Sequence, residues 1–120
     1  MQAKVKRLLR QAFPLFRITE EYYVKTERGP LYFDFLLEDF ILVEVDGRQH
    51  EEWVDWFHES WYDFFAQQRR DARKEEWALE NGYILLRISW REVDKLTPED
   101  LVRRLQEAMQ RRDHNGRRRV

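Results

Sequence analysis

Apolar positions along the chain repeat at helical spacing in three stretches and form short runs in four others. The helical stretches are 2–13, 60–81 and the segment that follows Thr97, and the short runs are 15–24, 31–37, 40–46 and 83–88. This pattern predicts the order αβββαβα. A strand, helix and strand that follow a meander imply a mixed four-stranded sheet flanked by helices, so we expect an α/β fold.

Proline, glycine and threonine residues mark the ends of the predicted helices. Pro14 ends the first helix, Gly82 follows the second, and Thr97 with Pro98 is a strong start for the third. We expect one domain over residues 1–110, followed by a basic, disordered tail over 111–120.

One stripe of the 60–81 helix, which begins with two large rings, predicts its buried face. The stripe consists of Trp61, Phe65, Gln68, Ala72, Glu75 and Leu79. A polar flank of Gln67, Asp71 and Lys74 lies together on another side of the helix.

The apolar run at 40–46 contains two carboxylates, Glu44 and Asp46. Because an unpaired carboxylate in a buried strand costs several kcal/mol, these two residues need a partner. A metal ion is the leading explanation. Asp34 in the preceding run is a third carboxylate, and His50 follows the turn at Gly47. These residues indicate a divalent-metal site for cleaving phosphodiesters, with Asp34, Glu44 and Asp46 as metal ligands.

The loop between the second and third strands decides whether that site can form. With only Glu38 and Asp39 in the loop, Phe33 would lie opposite Glu44, and Asp34 would point away from it. A three-residue loop or a bulge would instead bring Asp34 opposite Glu44 and onto the face of Asp46. The functional interpretation requires this second register.

Composition narrows the possible ligands and locations. The chain has 120 residues and no cysteine, which excludes disulfides and thiolate zinc sites. Its three histidines, at 50, 58 and 114, are too scattered for a histidine-based metal motif, so oxygen ligands and Mg²⁺ or Mn²⁺ are favoured. No run of about 18 apolar residues and no apolar leader is present, so we expect a cytoplasmic protein without membrane contact.

Charge is segregated along the chain although the net charge is only -1. Residues 1–17 carry five basic and no acidic groups, residues 18–60 carry three basic against twelve acidic groups, and residues 95–120 are again basic. An acidic centre between basic ends suits a metal site flanked by phosphate contacts. Simple solvation of the surface explains the same distribution.

Three segments together resemble a known nuclease family. They are YFDF at 32–35, ILVEVDGRQH at 41–50 and RRDARKEEWALENGYILLRISWREV at 69–93. The combination resembles the very-short-patch-repair-like branch of the PD-(D/E)XK nuclease superfamily, which includes nuclease domains of phage homing enzymes. The resemblance implies a restriction-endonuclease-like core and a Mg²⁺-dependent DNA endonuclease, with nicking of one strand as one form of the activity.

The resemblance also implies roles for individual residues. Asp34 and Glu44 would be the acidic metal ligands, and Asp46 stands where the wider superfamily has a lysine. His50 is the candidate for activating water, with Lys74 as a weaker source of the missing positive charge. Asp71 would support the metal's water shell or hold His50.

Two features stay open at this point. Relatives carry a glutamate on the first helix that this chain lacks, and Glu20 or Glu21 could replace it. The ring-rich segment at 53–65 could pack in the core at Trp61 and Phe65, while its earlier rings could contact DNA or a partner protein.

The predicted partner is DNA, and its phosphates would be contacted by basic residues of the 60–81 helix: Arg69, Arg70, Arg73 and Lys74. Selectivity would come from loops or from another protein, and a nuclease core of this size often works as a homodimer or beside a targeting protein. The alternative function is a catalytically inactive nuclease-fold subunit for DNA binding or protein interaction, motivated by the missing glutamate and lysine.

Overall fold

The computed structural model describes residues 1–47 and 61–118, with side chains described through Arg112. Its elements are α1 (Gln2–Ala12), β1 (Ile18–Thr26), β2 (Gly29–Leu37), β3 (Ile41–Asp46), α2 (Trp61–Glu80), β4 (Ile84–Ser89) and α3 (Pro98–Arg118). His50 and the earlier rings Trp53, Trp56 and Phe57 lie outside the described residues, so the predictions made for them stay predictions.

The four strands form one mixed sheet in the order β1-β2-β3-β4. β1, β2 and β3 pair antiparallel as two successive hairpins, and β4 pairs parallel to β3. Parallel neighbours need a crossover connection, and α2 lies in that crossover. The predicted α/β fold with a mixed four-stranded sheet flanked by helices is confirmed.

Helices cover the two faces of the sheet and divide the core into two clusters. On one face, α1 and α3 pack through residues such as Val5, Leu9 and Leu101 against the sheet residues Phe35 and Val43. The second cluster unites α2 with the other face; its buried members are Leu31, Phe33, Leu36, Leu42 and Ala78. β3 is buried along its whole length because helices cover it on both sides.

A three-residue turn joins β2 and β3. Leu37 pairs with Ile41 and Phe35 pairs with Val43, which leaves residues 38–40 as the turn. Glu38 has φ +54, the left-handed conformation that allows the strands to reverse over three residues. The register therefore brings Asp34 opposite Glu44, as the functional interpretation required.

α2 presents a different face to the sheet from the one that the stripe with Trp61 and Phe65 predicted. Phe64, Gln67 and Ala78 are buried, whereas Trp61 and Phe65 remain more than half exposed. The prediction that the rings at 61 and 65 pack in the core is therefore wrong. The physical reason lies in the sheet: Glu44 and Asp46 face α2, so the polar flank of the helix is needed there.

α3 begins at a reciprocal cap and extends farther than the sequence indicates. The Thr97 hydroxyl accepts a hydrogen bond from the Asp100 N–H at 3.1 Å, and the Asp100 carboxylate accepts one from the Thr97 N–H at 3.0 Å. The helix continues to Arg118, through a segment for which we expected a disordered tail. Once a helix has formed, each further residue adds one backbone hydrogen bond without a new nucleation step.

Within the described residues, no helix is both long enough and apolar enough to cross a membrane.

The hydrogen bonds that cap α3 should contribute measurably to the free energy of unfolding. Because Thr97→Ala removes the hydroxyl acceptor at the helix start, we expect the free energy of unfolding to fall by about 1 kcal/mol. Urea denaturation followed by circular dichroism measures this loss. Thr97→Ser keeps the acceptor and should lose only a few tenths of that value. Equal losses in the two variants would contradict a capping role.

Candidate active site

Asp34 and Glu44 lie where β2 and β3 stop pairing through their backbones. The ladder ends at the Phe35 and Val43 pair. Beyond it, the Asp34 N–H donates to Glu44 Oε1 at 3.0 Å, and the Val45 N–H donates to Asp34 Oδ2 at 2.7 Å. The two carboxylates thus take hydrogen bonds that carbonyls would accept in a regular ladder, and both side chains are held between the strands.

A local change of direction in the first hairpin makes room for Asp34. Phe33 packs in the cluster under α2, whereas Phe35, two residues further along the strand, packs in the cluster under α1 and α3. Alternation would place both on one face, so the chain twists between them, at Asp34. On β1, the register places Glu21 opposite Asp34, and Glu21 has φ +53. Strain at this position is the kind that accompanies a functional site.

Glu44 is almost fully buried, with 3% of its surface exposed. Its Oε2 forms an ion pair with Lys74 Nζ at 3.1 Å, and Lys74 also lies 5.7 Å from the centroid of the Phe33 ring. Burial raises the pKa of Glu44 above its ordinary value, and the nearby charge of Asp34 raises it further, while Lys74 acts to lower it. The lysine therefore offsets only part of the cost of burying this carboxyl.

Asp46 is bound by Arg87 of β4. The Nη1 of Arg87 donates to both carboxylate oxygens of Asp46, at 3.0 and 3.2 Å. The same guanidinium donates to Glu75 Oε1 at 2.7 Å and to the main-chain carbonyl of Asp71 at 2.8 Å. Burial disfavours the charged guanidinium, but Asp46 and the neighbouring acids outweigh it and raise the pKa of Arg87. Arg87 thus ties β3, β4 and α2 together.

The predicted ligand set is only partly brought together. Asp34 and Glu44 meet, whereas Asp46 is held by Arg87. Among the described residues, no three His, Asp or Glu side chains are grouped so that they could hold a metal. Asp71 is half-buried beside the site, and its carbonyl accepts from Arg87. Glu20, one possible replacement for the missing helix glutamate, pairs with Lys6 at 2.8 Å.

The four basic residues predicted to contact phosphates separate into two kinds. Arg69 and Arg70 are exposed. Arg73 donates to the Gly29 carbonyl at 3.2 Å and thereby holds the β1–β2 hairpin to α2, and Lys74 pairs with Glu44. Lys74, the weaker candidate for the missing positive charge, is the basic residue that reaches the carboxylates.

Arg87 is the site residue that sequence reasoning missed. The available signal was an arginine inside an otherwise apolar strand, ILLRIS, where a buried cation needs an acidic partner. Arg87 could be recognised as the partner of Asp46 only once the parallel register of β3 and β4 was known. In that register Arg87 lies beside Glu44, and its guanidinium reaches diagonally to Asp46, which lies beside Ser89.

The residues present fit a hard divalent cation. Asp34 and Glu44 offer carboxylate oxygens from adjacent strands, the ligands that Mg²⁺ and Mn²⁺ prefer. Asp34 accepts hydrogen bonds from the Val45 N–H and from the Gln2 amide at 3.4 Å, and no basic side chain of the described residues pairs with it. A divalent cation held by Asp34 and Glu44 would compensate this charge.

Comparison with known proteins adds no further assignment: no family model, no curated protein and no solved structure matches this chain. The resemblance to the nuclease superfamily stays a prediction from residues.

The raised pKa of Glu44 predicts a pH dependence of stability. The folded protein keeps the Glu44 proton at pH values where the unfolded chain has lost it, so Glu44 destabilises the fold progressively as pH rises above about 4.5. Glu44→Gln removes this term. The free energy of unfolding of the variant should therefore rise relative to the native protein as pH increases from 4.5. Urea denaturation in EDTA between about pH 4 and 8 measures the difference, and a difference that is constant with pH would contradict the assignment.

Proposed function

We propose that the protein is a divalent-metal-dependent DNA endonuclease that hydrolyses phosphodiester bonds at the Asp34 and Glu44 pair. The observation that carries the proposal is the meeting of these carboxylates between β2 and β3, with Lys74 at 3.1 Å from Glu44. A buried carboxyl whose pKa is raised by burial and that lies beside a specific charge partner is a candidate for a functional site.

Mg²⁺ or Mn²⁺, held by Asp34 and Glu44, would neutralise charge on the phosphate and make a bound water acidic enough to lose its proton near neutral pH. Asp34 is kept in position by the Val45 N–H, and Glu44 by the Asp34 N–H. These two bonds fix the oxygens from the backbone, so neither carboxylate depends on a flexible partner for its orientation.

The nuclease superfamily has a lysine at the position of Asp46, and in this chain Lys74 would supply that positive charge instead. Its ammonium lies beside Glu44 and retains two further donor hydrogens, which can reach a phosphate oxygen of the substrate. Donors aimed at developing negative charge are among the largest contributors to catalysis. His50 is the proposed acceptor of the water's proton, because histidine titrates in the required range.

DNA would be bound through exposed basic residues of α1 and α2. Arg69 and Arg70 of α2 are exposed, and so are Arg7 and Arg10 of α1. Such residues contact phosphates and position a duplex without reading its sequence. Selectivity would then come from a second copy or a targeting protein.

A second candidate function has its own support. Lys74 and Arg87 each neutralise a carboxylate, and no three-residue metal group occurs among the described residues. The same contacts would serve an inactive subunit in which the charges only hold α2 on the sheet, and which acts by binding DNA or another protein.

Cleavage of supercoiled plasmid separates the two functions. We expect nicking or linearisation with Mg²⁺ or Mn²⁺, none in EDTA, and loss of at least about a hundredfold in rate in Asp34→Asn and Glu44→Gln, since both remove a metal ligand. Glu80→Gln is the matched control, because Glu80 is an exposed carboxylate of α2 away from the pair. DNA retention on a gel without cleavage under any metal would favour the inactive subunit.

The role of Lys74 is tested by Lys74→Met and Lys74→Arg. Loss of the ammonium should lower the cleavage rate by about a hundredfold while Mn²⁺ still binds, because the lysine acts on the phosphate and not on the metal. Lys74→Arg keeps the charge and should recover part of the rate. Calorimetric titration with Mn²⁺ accompanies the assay, and a rate in Lys74→Met within threefold of native would contradict this role.

A further inference from the structure

Large aromatic rings are exposed on the first turns of α2. Trp61, Tyr62 and Phe65 have exposed fractions of 59%, 71% and 53%. The rings of Trp61 and Phe65 stack at a centroid distance of 6.0 Å with 29° between their planes. Solvent-exposed rings arranged side by side offer flat apolar surfaces to another planar group.

A cleft of about 490 Å³ opens beside two of these rings. The described residues that line it are Tyr62, Phe65, Gln68, Arg69 and Ala72. They comprise two aromatic faces, one amide that can both donate and accept, one cation and no carboxylate. Ala72 has a short side chain and leaves space between the longer side chains of the lining.

The one charged side chain in the described lining of the cleft is a cation. The guanidinium of Arg69 lies 5.8 Å from the centroid of the Tyr62 ring, a cation–π contact that keeps it at the rim. Asp63 and Asp71 adjoin cleft residues in sequence but project from other sides of the helix. Glu76, four residues after Ala72, is exposed one turn beyond the cleft on the same side. The lining therefore favours an anionic group beside Arg69.

We propose that this cleft binds a nucleobase of a single-stranded DNA segment. The base stacks on Tyr62 and Phe65, the amide of Gln68 contacts its edge, and Arg69 binds the adjoining phosphate. Aromatic platforms interleaved with basic side chains are how proteins hold single strands without a fixed sequence.

The position of the cleft relates it to the proposed cleavage site. Phe65 and Lys74 are nine residues apart on one helix, which separates them by about 14 Å along its axis and by about half a turn around it. The cleft therefore lies on the exposed side of α2. A bound strand of several nucleotides would pass around the first turns of the helix to reach the carboxylates. The inference thus rests on the proposed function for one statement, that the strand reaches Asp34 and Glu44; binding in the cleft is independent of it. The substrate class would be DNA with an unpaired strand beside the cut.

The test measures binding in EDTA, so the outcome does not depend on cleavage. Fluorescence anisotropy compares a labelled oligothymidylate with a duplex of equal length, for the native chain and for Tyr62→Ala and Phe65→Ala. We expect about a tenfold to hundredfold loss of affinity for the single strand in each variant. Phe65→Tyr should recover most of it. Arg69→Gln should reduce the salt dependence of log K by about 0.7, the value for one phosphate of a single strand.

Leu79→Ala is the matched control, because Leu79 is an apolar residue of α2 that is 63% exposed outside the cleft. It should bind like the native chain. Unchanged single-strand affinity in the cleft variants would overturn the proposal, and so would equal losses for duplex and single strand. A dimer in sedimentation that only the cleft variants dissociate, with DNA binding intact, would instead assign these rings to contact between copies.

Discussion

The structure depends on one departure from regular pairing, at the point where β2 and β3 separate. Two backbone N–H groups, those of Asp34 and Val45, donate to carboxylates instead of carbonyls. A buried N–H must find an acceptor, and here the acceptors are the side chains of Glu44 and Asp34. These bonds satisfy both backbone N–H groups and place two negatively charged side chains in the interior. The contacts of α2 and β4 in this region depend on that charge.

Basic side chains of α2 and β4 compensate this negative charge. Lys74 reaches Glu44, and Arg87 of β4 binds Asp46 and Glu75 together. Breaking a buried pair by removing one partner leaves a charge without compensation, which is costlier than never having buried the pair. The orientation of α2 is therefore set by electrostatics as well as by apolar contact, and its more apolar stripe, with Trp61 and Phe65, is left at the surface.

Local sequence signals predicted much of the fold, and non-local charge pairing explains what they missed. The position of the turn after Leu37, the cap at Thr97 and the apolar run of β3 depend on adjacent residues, so they could be predicted; the length of that turn was left open. Asp34 and Glu44 followed from the register once a three-residue turn was assumed. Arg87 was missed as the partner of Asp46, and Lys74 was named only as a weaker source of positive charge, because both meet the carboxylates only after α2 crosses the sheet. The buried face of α2 was mispredicted for the same reason: the polar face that packs inside does so only because the sheet offers charges.

The central claim is that Asp34 and Glu44 share a divalent cation. Anomalous diffraction from crystals soaked in Mn²⁺ tests it most directly. We expect a peak about 2.1 Å from an oxygen of Asp34 and from one of Glu44, with Lys74 still beside Glu44. No peak at these carboxylates under saturating Mn²⁺, with Glu44 bound only to Lys74, would contradict it and leave a structural ion pair in place of a catalytic site.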